Sequence, residues 1–241
     1  MRKALIYGTA AAALLASLTA CSDDADTGTT GSVSTTGDAL QVDANGVSPV
    51  ASSDLADQLD EITVGSLTTA ERESLIFMRQ EEKLAEDVYR ALYAKWNLPI
   101  FSNIASAEAT HTASVKTLLD RYSIADPVMD RAAGDFENAQ IDALYDKLVA
   151  QGNVSEIEAL KVGATIEDLD IVDLQKRATT TPDIDLVYDN LEKGSRNHLR
   201  SFTTQLSTRG ATYTPIYLTV AAYEAIVGSG IERGGAARSG S

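Results

Sequence analysis

Between about residues 63 and 227 apolar side chains recur every three or four positions, and no segment alternates apolar with polar residues as a half-buried strand would. The pattern predicts four long helices. The first begins after Thr68, which forms a Thr-x-x-Glu capping box with Glu71, and stops before Pro99. Its stripe reads Leu75, Met78, Glu82, Ala85, Tyr89, Leu92, Trp96. The second runs from about Ser102 to Tyr122, ahead of Asp126-Pro127, with the stripe Ile104, Glu108, His111, Val115, Leu118, Tyr122. The third begins at Ser155 with a capping box to Glu158, and its stripe is Ile157, Leu160, Ala164, Glu167, Ile171, Leu174. The fourth starts near Pro182, a residue suited to a first helical position, with the stripe Ile184, Tyr188, Leu191, Ser195, His198, Phe202. The stretch 123–154 between the second and third helices is long enough for a crossover and holds a short helix from Phe136 to about Gly152. A last short helix is expected from Tyr213 to Ile226. The fold class is all-α, a four-helix bundle with a long crossover and a short C-terminal helix.

Each stripe carries a metal-capable side chain at its middle: Glu82, then Glu108 with His111, then Glu167, then His198. An unpaired carboxylate in an apolar interior costs about several kcal/mol, and three converging carboxylates also repel one another. A bound cation is the simplest compensation. The Glu108-x-x-His111 spacing sends both side chains off one helix face toward one centre. Asp170 lies one turn beyond Glu167 and can add a carboxylate from the third helix. Other readings stay open at this point. A one-residue register shift would exchange Glu82 for Glu81; the histidines could be satisfied by carbonyl groups; Glu167 could pair with Arg196 or Arg200. Glu192 points to another face than His198. Tyr89 and Tyr188 sit beside the acidic positions, where packing with a satisfied hydroxyl is the simpler role.

Composition changes the picture at the ends. The chain opens with Arg2 and Lys3, an apolar run from Ala4 to Leu18, and Leu18-Thr19-Ala20-Cys21. This has the form of an export signal and resembles the lipobox of bacterial lipoproteins, in which the cysteine receives lipid. Cys21 is the single cysteine, which excludes an intramolecular disulfide and any all-cysteine iron site. Residues 1–21 are therefore expected to be a signal peptide with Cys21 lipidated, residues 22–62 a disordered acidic tether, 63–227 the helical domain, and 228–241 a disordered tail. The tether reading rests on nine acids and no Lys or Arg among many Ser, Thr and Gly residues. A net charge of −15, or −17 without Arg2 and Lys3, argues against nucleic acid as a partner and suits cations.

These residues also carry a resemblance. One Glu from the first helix, Glu-x-x-His from the second, one Glu from the third and a histidine from the fourth resemble the ferritin-like superfamily, and Glu82-x-x-Ala85-x-x-x-Tyr89 is similar to the first helix of rubrerythrins. The blocks MRQEEKLAEDVYRALY, FSNIASAEATH, LLDRYSIADP, IEDLDIVDL and NLEKGSRNHLRSF more closely resemble the bacterial family of unknown function numbered 2202, within that superfamily. The resemblance implies a di-iron or mono-iron site, or a manganese one, held by Glu82, Glu108, His111, Glu167 and His198, to which Asp170 can add its carboxylate by position. One departure stands out: Ser195 takes the place of the glutamate three residues before the last histidine, and serine is a poor ligand for a hard cation. The implied functions are oxidase, ferroxidase or peroxidase chemistry, metal storage or sensing without turnover, or a metal-free structural bundle. Expected partners are the membrane through lipid on Cys21, a separate electron donor and a second copy in a homodimer. The expected location is the bacterial cell envelope, with Ser22 after the cysteine pointing to an outer membrane in Gram-negative cells.

Overall fold

The computed structural model describes residues 39–233. These residues are all-α, with α1 (Ser52–Asp60), α2 (Thr69–Trp96), α3 (Pro99–Arg121), α4 (Ala139–Gly152), α5 (Glu156–Lys176), α6 (Pro182–Thr208) and α7 (Val220–Val227). One isolated antiparallel bridge, Leu40 to Val50, is the extended pairing found among them.

Local chemistry sets the helix ends. The Thr68 hydroxyl accepts from the Glu71 N–H at 3.2 Å while the Glu71 carboxylate accepts from the Thr68 N–H at 2.8 Å, which closes the capping box of α2. At its other end Asn97 takes a left-handed conformation with φ 52°, Leu98 is extended, and Pro99 opens α3. The connection is short, so α2 and α3 pack along one another, and α5 and α6 do the same. Further contacts of α3 with α6 and α2 with α5 close an interior between the four long helices, while α4 lies against α2 and α5.

That interior has two apolar clusters. Leu84, Val88, Leu92, Phe101, Ile104, Leu160 and Phe202 belong to one. Leu75, Met78, Val115, Leu118, Leu174, Ile184 and Leu191 belong to the other. Between them on α2, α3, α5 and α6 fall Glu82, Glu108 and His111, Glu167 and Asp170, and Ser195 and His198, all buried. A polar layer thus separates two hydrophobic layers.

Four expectations need correction. The acidic tether does not extend to residue 62, because Leu40, Val50, Leu55 and Leu59 are each buried in the second cluster and residues 52–60 are helical. Val42 and Val47 of the same arm are partly buried against the two clusters. The tail is likewise tied as far as Glu232, whose carboxylate meets Arg196 and Arg200 at 2.7 Å. The helix expected from Phe136 starts at Ala139, where the Asn138 side chain caps it by accepting from the Gln140 N–H. The last helix starts at Val220 rather than Tyr213, because the N–H groups of Ile216, Tyr217 and Leu218 donate to the Asp168 carboxylate instead of to a helical ladder. The signal segment, Cys21 and Ser22 lie outside the described residues.

Candidate metal centre

The polar layer is built from the helix faces that the apolar periodicity turns inward. Glu108 stands at its centre. Its Oε2 lies 3.0 Å from His111 Nδ1 and its Oε1 lies 2.8 Å from His198 Nδ1. Glu82 Oε2 approaches His111 Nδ1 at 3.7 Å, and Glu167 Oε2 approaches His198 Nδ1 at 3.6 Å. The two imidazoles are stacked, with centroids 5.4 Å apart and planes 19° apart. One ligand atom from each of Glu108, His111 and His198 lies within 4.8 Å of the other two.

Asp170 sits at the edge of the same layer. Ser195 donates its hydroxyl to Asp170 Oδ2 and also bonds the Leu191 carbonyl at 2.9 Å. A hydroxyl of α6 thus stands against a carboxylate of the neighbouring α5. Glu167 Oε1 accepts from the Tyr89 hydroxyl at 2.6 Å, so Tyr89 orients a candidate ligand. Tyr188 instead shares a hydrogen bond with Ser74 at 2.8 Å.

Four donor atoms in this layer are buried without a hydrogen-bond partner: Glu82 Oε1, His111 Nδ1, Asp170 Oδ1 and His198 Nδ1. The two ring nitrogens stand close to carboxylate oxygens yet are not aligned to bond them. Buried polar atoms are nearly always satisfied, and an orphan calls for a cause such as an ion. Carboxylate oxygens and imidazole nitrogens converging on one centre are a donor set for a hard or borderline divalent cation. The residues fit a metal.

The charges in the layer reinforce one another. Burial pushes the Glu82 carboxyl up to about 8, against the pull of His111. Burial also raises Glu108, but the two histidines outweigh it and hold this carboxyl well below the usual range. Burial alone would lower His198, yet the carboxylates of Glu167 and Glu108 raise it to about 9. Burial and Glu108 raise Glu167, while burial and Glu82 raise Asp170. The consequence for stability has a definite sign. A histidine raised to about 9 stabilises the fold below its unfolded value near 6.5, and that contribution disappears as pH rises through 9. A carboxyl raised to about 8 favours the fold below about 4.5 and loses that advantage toward pH 8. The depressed Glu108 opposes neither trend in this window, since it stays ionised. The metal-free chain should therefore lose stability between about pH 5 and 9, in denaturant midpoints taken across that range, and a bound divalent cation should flatten the profile by replacing the protons.

Several alternatives are decided by these positions. Both Glu81 and Glu82 are buried, but Glu82 faces His111 while Glu81 is pushed up by burial and then by Asp170 and Asp173. Arg196 and Arg200 do not pair with Glu167, since they bind Glu232, and Arg196 also takes Glu192. Glu192 lies outside the layer. Ser155 caps α5 by accepting from the Glu158 N–H at 3.1 Å, while the Glu158 carboxylate turns to Lys161 and Gln151, so the capping box is half formed. Two contributors were not legible as site residues. The Ser48 carbonyl lies 2.7 Å from His111 Nε2, and the Ser48 N–H donates to His198 Nε2 at 3.3 Å. Gly194 passes so close to His111 that a Cβ there would stand 2.6 Å from the ring.

Residues 71–230 match the family model described as uncharacterized protein domain (DUF2202). The chain belongs to the DUF2202 family. The chain is similar to the uncharacterized protein MJ0754 of Methanocaldococcus jannaschii, 54% identical over 170 residues, which span 70% of this chain and 92% of that protein. The crystal structure of hypothetical protein MJ0754 from Methanococcus jannaschii DSM 2661 superposes with a TM-score of 0.70 at 51% identity, over 71% of this chain and 99% of that one. Both carry an archaeal name, so the likeness is not confined to bacteria. The residues matched to DUF2202 include Glu82, Glu108, His111, Glu167, Asp170 and His198 but not Ser48.

Proposed function

We propose that this DUF2202 chain is a ferritin-like metal protein, a four-helix bundle of α2, α3, α5 and α6 with α4 in the crossover, holding iron or manganese in its polar layer. The single observation that carries the reading is the set of unpartnered donor atoms on Glu82, His111, Asp170 and His198 around one shared carboxylate, Glu108. Glu108 and His111 form the core of the ligand set, with Glu82, Glu167, His198 and Asp170 completing one or two shells. A bound ion would supply a redox couple and an open coordination position for an oxygen species. The chain's own part is to hold the ion dry between two apolar layers and to orient Glu167 through Tyr89. Electrons would come from a separate donor, since the single cysteine leaves no all-cysteine iron site. Anchoring through lipid on Cys21 would place the domain at the bacterial envelope.

The test is metal content by mass spectrometry after reconstitution with iron(II) or manganese(II). The parent should retain about one or two ions per chain, the capacity of such carboxylate and histidine sets. The Glu108→Ala/His111→Ala variant should retain none while keeping its helical circular dichroism. Equal, trace metal in both proteins would leave a structural bundle.

A further inference from the structure

The metal centre accounts for the unpartnered donors on Glu82, His111, Asp170 and His198, but not for a further buried oxygen without a partner, Glu81 Oε2. Glu81 is 4% exposed and lies on α2, which packs against α5. Its carboxyl is in hydrogen-bond contact with that of Asp173 and is also close to Asp170, both on α5. An acidic side chain this deep, with one oxygen unbonded and two more carboxyls beside it, is set to receive a positive charge.

The placement on α5 gives the cluster a direction. Glu167, Asp170 and Asp173 are three residues apart, so each step advances almost one turn and swings the side chain about 60° around the helix. Glu167 and Asp170 are buried in the polar layer, whereas the Asp173 side chain is 14% exposed and meets the ammonium of Lys176, itself 65% exposed, at 3.1 Å. A positive group thus already stands at the outer end. At the inner end Asp170 keeps Oδ1 unbonded and lies close to Glu82, Glu108 and Glu167. Glu81 is the carboxyl close to both ends. Arg177 does not satisfy it, since its guanidinium stacks on Phe77 at 3.8 Å and its Nε has no partner.

We propose that Asp173, Glu81 and Asp170 form the entry route by which a divalent cation passes from solvent to the buried layer. The inference rests on the metal reading above and assigns that site its path of loading. The layer lies between two apolar clusters, which an ion could cross only at a large desolvation cost. Carboxylates met one after another replace the ion's water in stages, with the oxygen ligands that hard cations take.

Loading of the full chain, read as loss of the free manganese(II) signal in electron paramagnetic resonance after rapid mixing, tests the route. Glu81→Gln and, separately, Asp173→Asn should each slow uptake about tenfold, the lower end of what a passage lined by one sign of charge adds to association rates. The final number of ions per chain should stay that of the parent. Asp173 is partly exposed, so its variant tests the route without disturbing the core. Asp120→Asn is the control, because it removes the same unit of charge from an exposed carboxylate of α3 paired with Lys116, and it should load at the parental rate. Parental rates in Glu81→Gln and Asp173→Asn would overturn the route and leave the metal reading intact. Ions lost from Glu81→Gln would make Glu81 a ligand, and equal slowing in Asp120→Asn would reduce the effect to net charge; either overturns the route. A parent that takes up no manganese(II) overturns both.

Discussion

Glu108→Ala should cost the chain more metal affinity than any other single replacement in the polar layer, by about a hundredfold or more, equivalent to ~3 kcal/mol. Glu108 is the carboxylate that approaches both rings, at 3.0 Å to His111 and 2.8 Å to His198. The same two histidines keep it ionised, so no proton competes for its oxygens near neutral pH. Glu82 and Glu167 each approach one histidine and at longer range, 3.7 and 3.6 Å, and burial raises both carboxyls, so that a proton competes better with a cation there than at Glu108. Asp170 is further restricted because Ser195 occupies one of its oxygens. Competition titrations against a chelator should rank the alanine variants with Glu108 most affected and Asp170 least. An Asp170→Ala loss equal to that of Glu108→Ala would place the ion on the other side of the layer.

The largest stability loss outside the metal centre is expected from Asp168→Ala. Asp168 is completely buried, and its carboxylate accepts from the Tyr213 hydroxyl at 2.8 Å and from the N–H groups of Ile216, Tyr217 and Leu218 at 2.6, 3.0 and 2.7 Å. Alanine removes all four acceptor contacts at once and leaves donors that the surrounding apolar groups cannot satisfy. Breaking a buried charged network of this kind costs about 3–5 kcal/mol. In a domain of this size that corresponds to a melting temperature lower by roughly 10 °C. The segment 211–219 should also become susceptible to proteolysis while α2 and α3 stay protected. A variant melting with the parent would show that water replaces the carboxylate without loss.

The four long helices and their inward faces were legible because a stripe of period 3.6 is a strong signal over twenty or more residues, and the polar positions lay on those stripes. Periodicity could not separate Glu81 from Glu82, since adjacent residues differ by only one helical step and both are buried here. The arm was hidden by its composition. Acids, Ser, Thr and Gly dominate residues 22–62, and they outweighed a hairpin signal that was present, Asn45-Gly46 between Leu40, Val42 and Val47, Val50. Burial of these few apolar residues depends on a groove that exists only after α3 and α6 have packed. The start of α7 was illegible for a similar reason, because the N–H groups before it are captured by Asp168 from another helix. Gly194 carries no local signal at all. Its need to lack a side chain comes from the approach of the His111 ring, 83 residues away in sequence.

If the buried layer holds a metal ion, anomalous X-ray scattering at the iron or manganese edge from reconstituted crystals will locate it. A peak is expected between the Glu108 carboxylate and His111 Nδ1, absent in Glu108→Ala/His111→Ala crystals. A layer without a peak in fully reconstituted protein, or a peak confined to surface carboxylates, would contradict the metal reading.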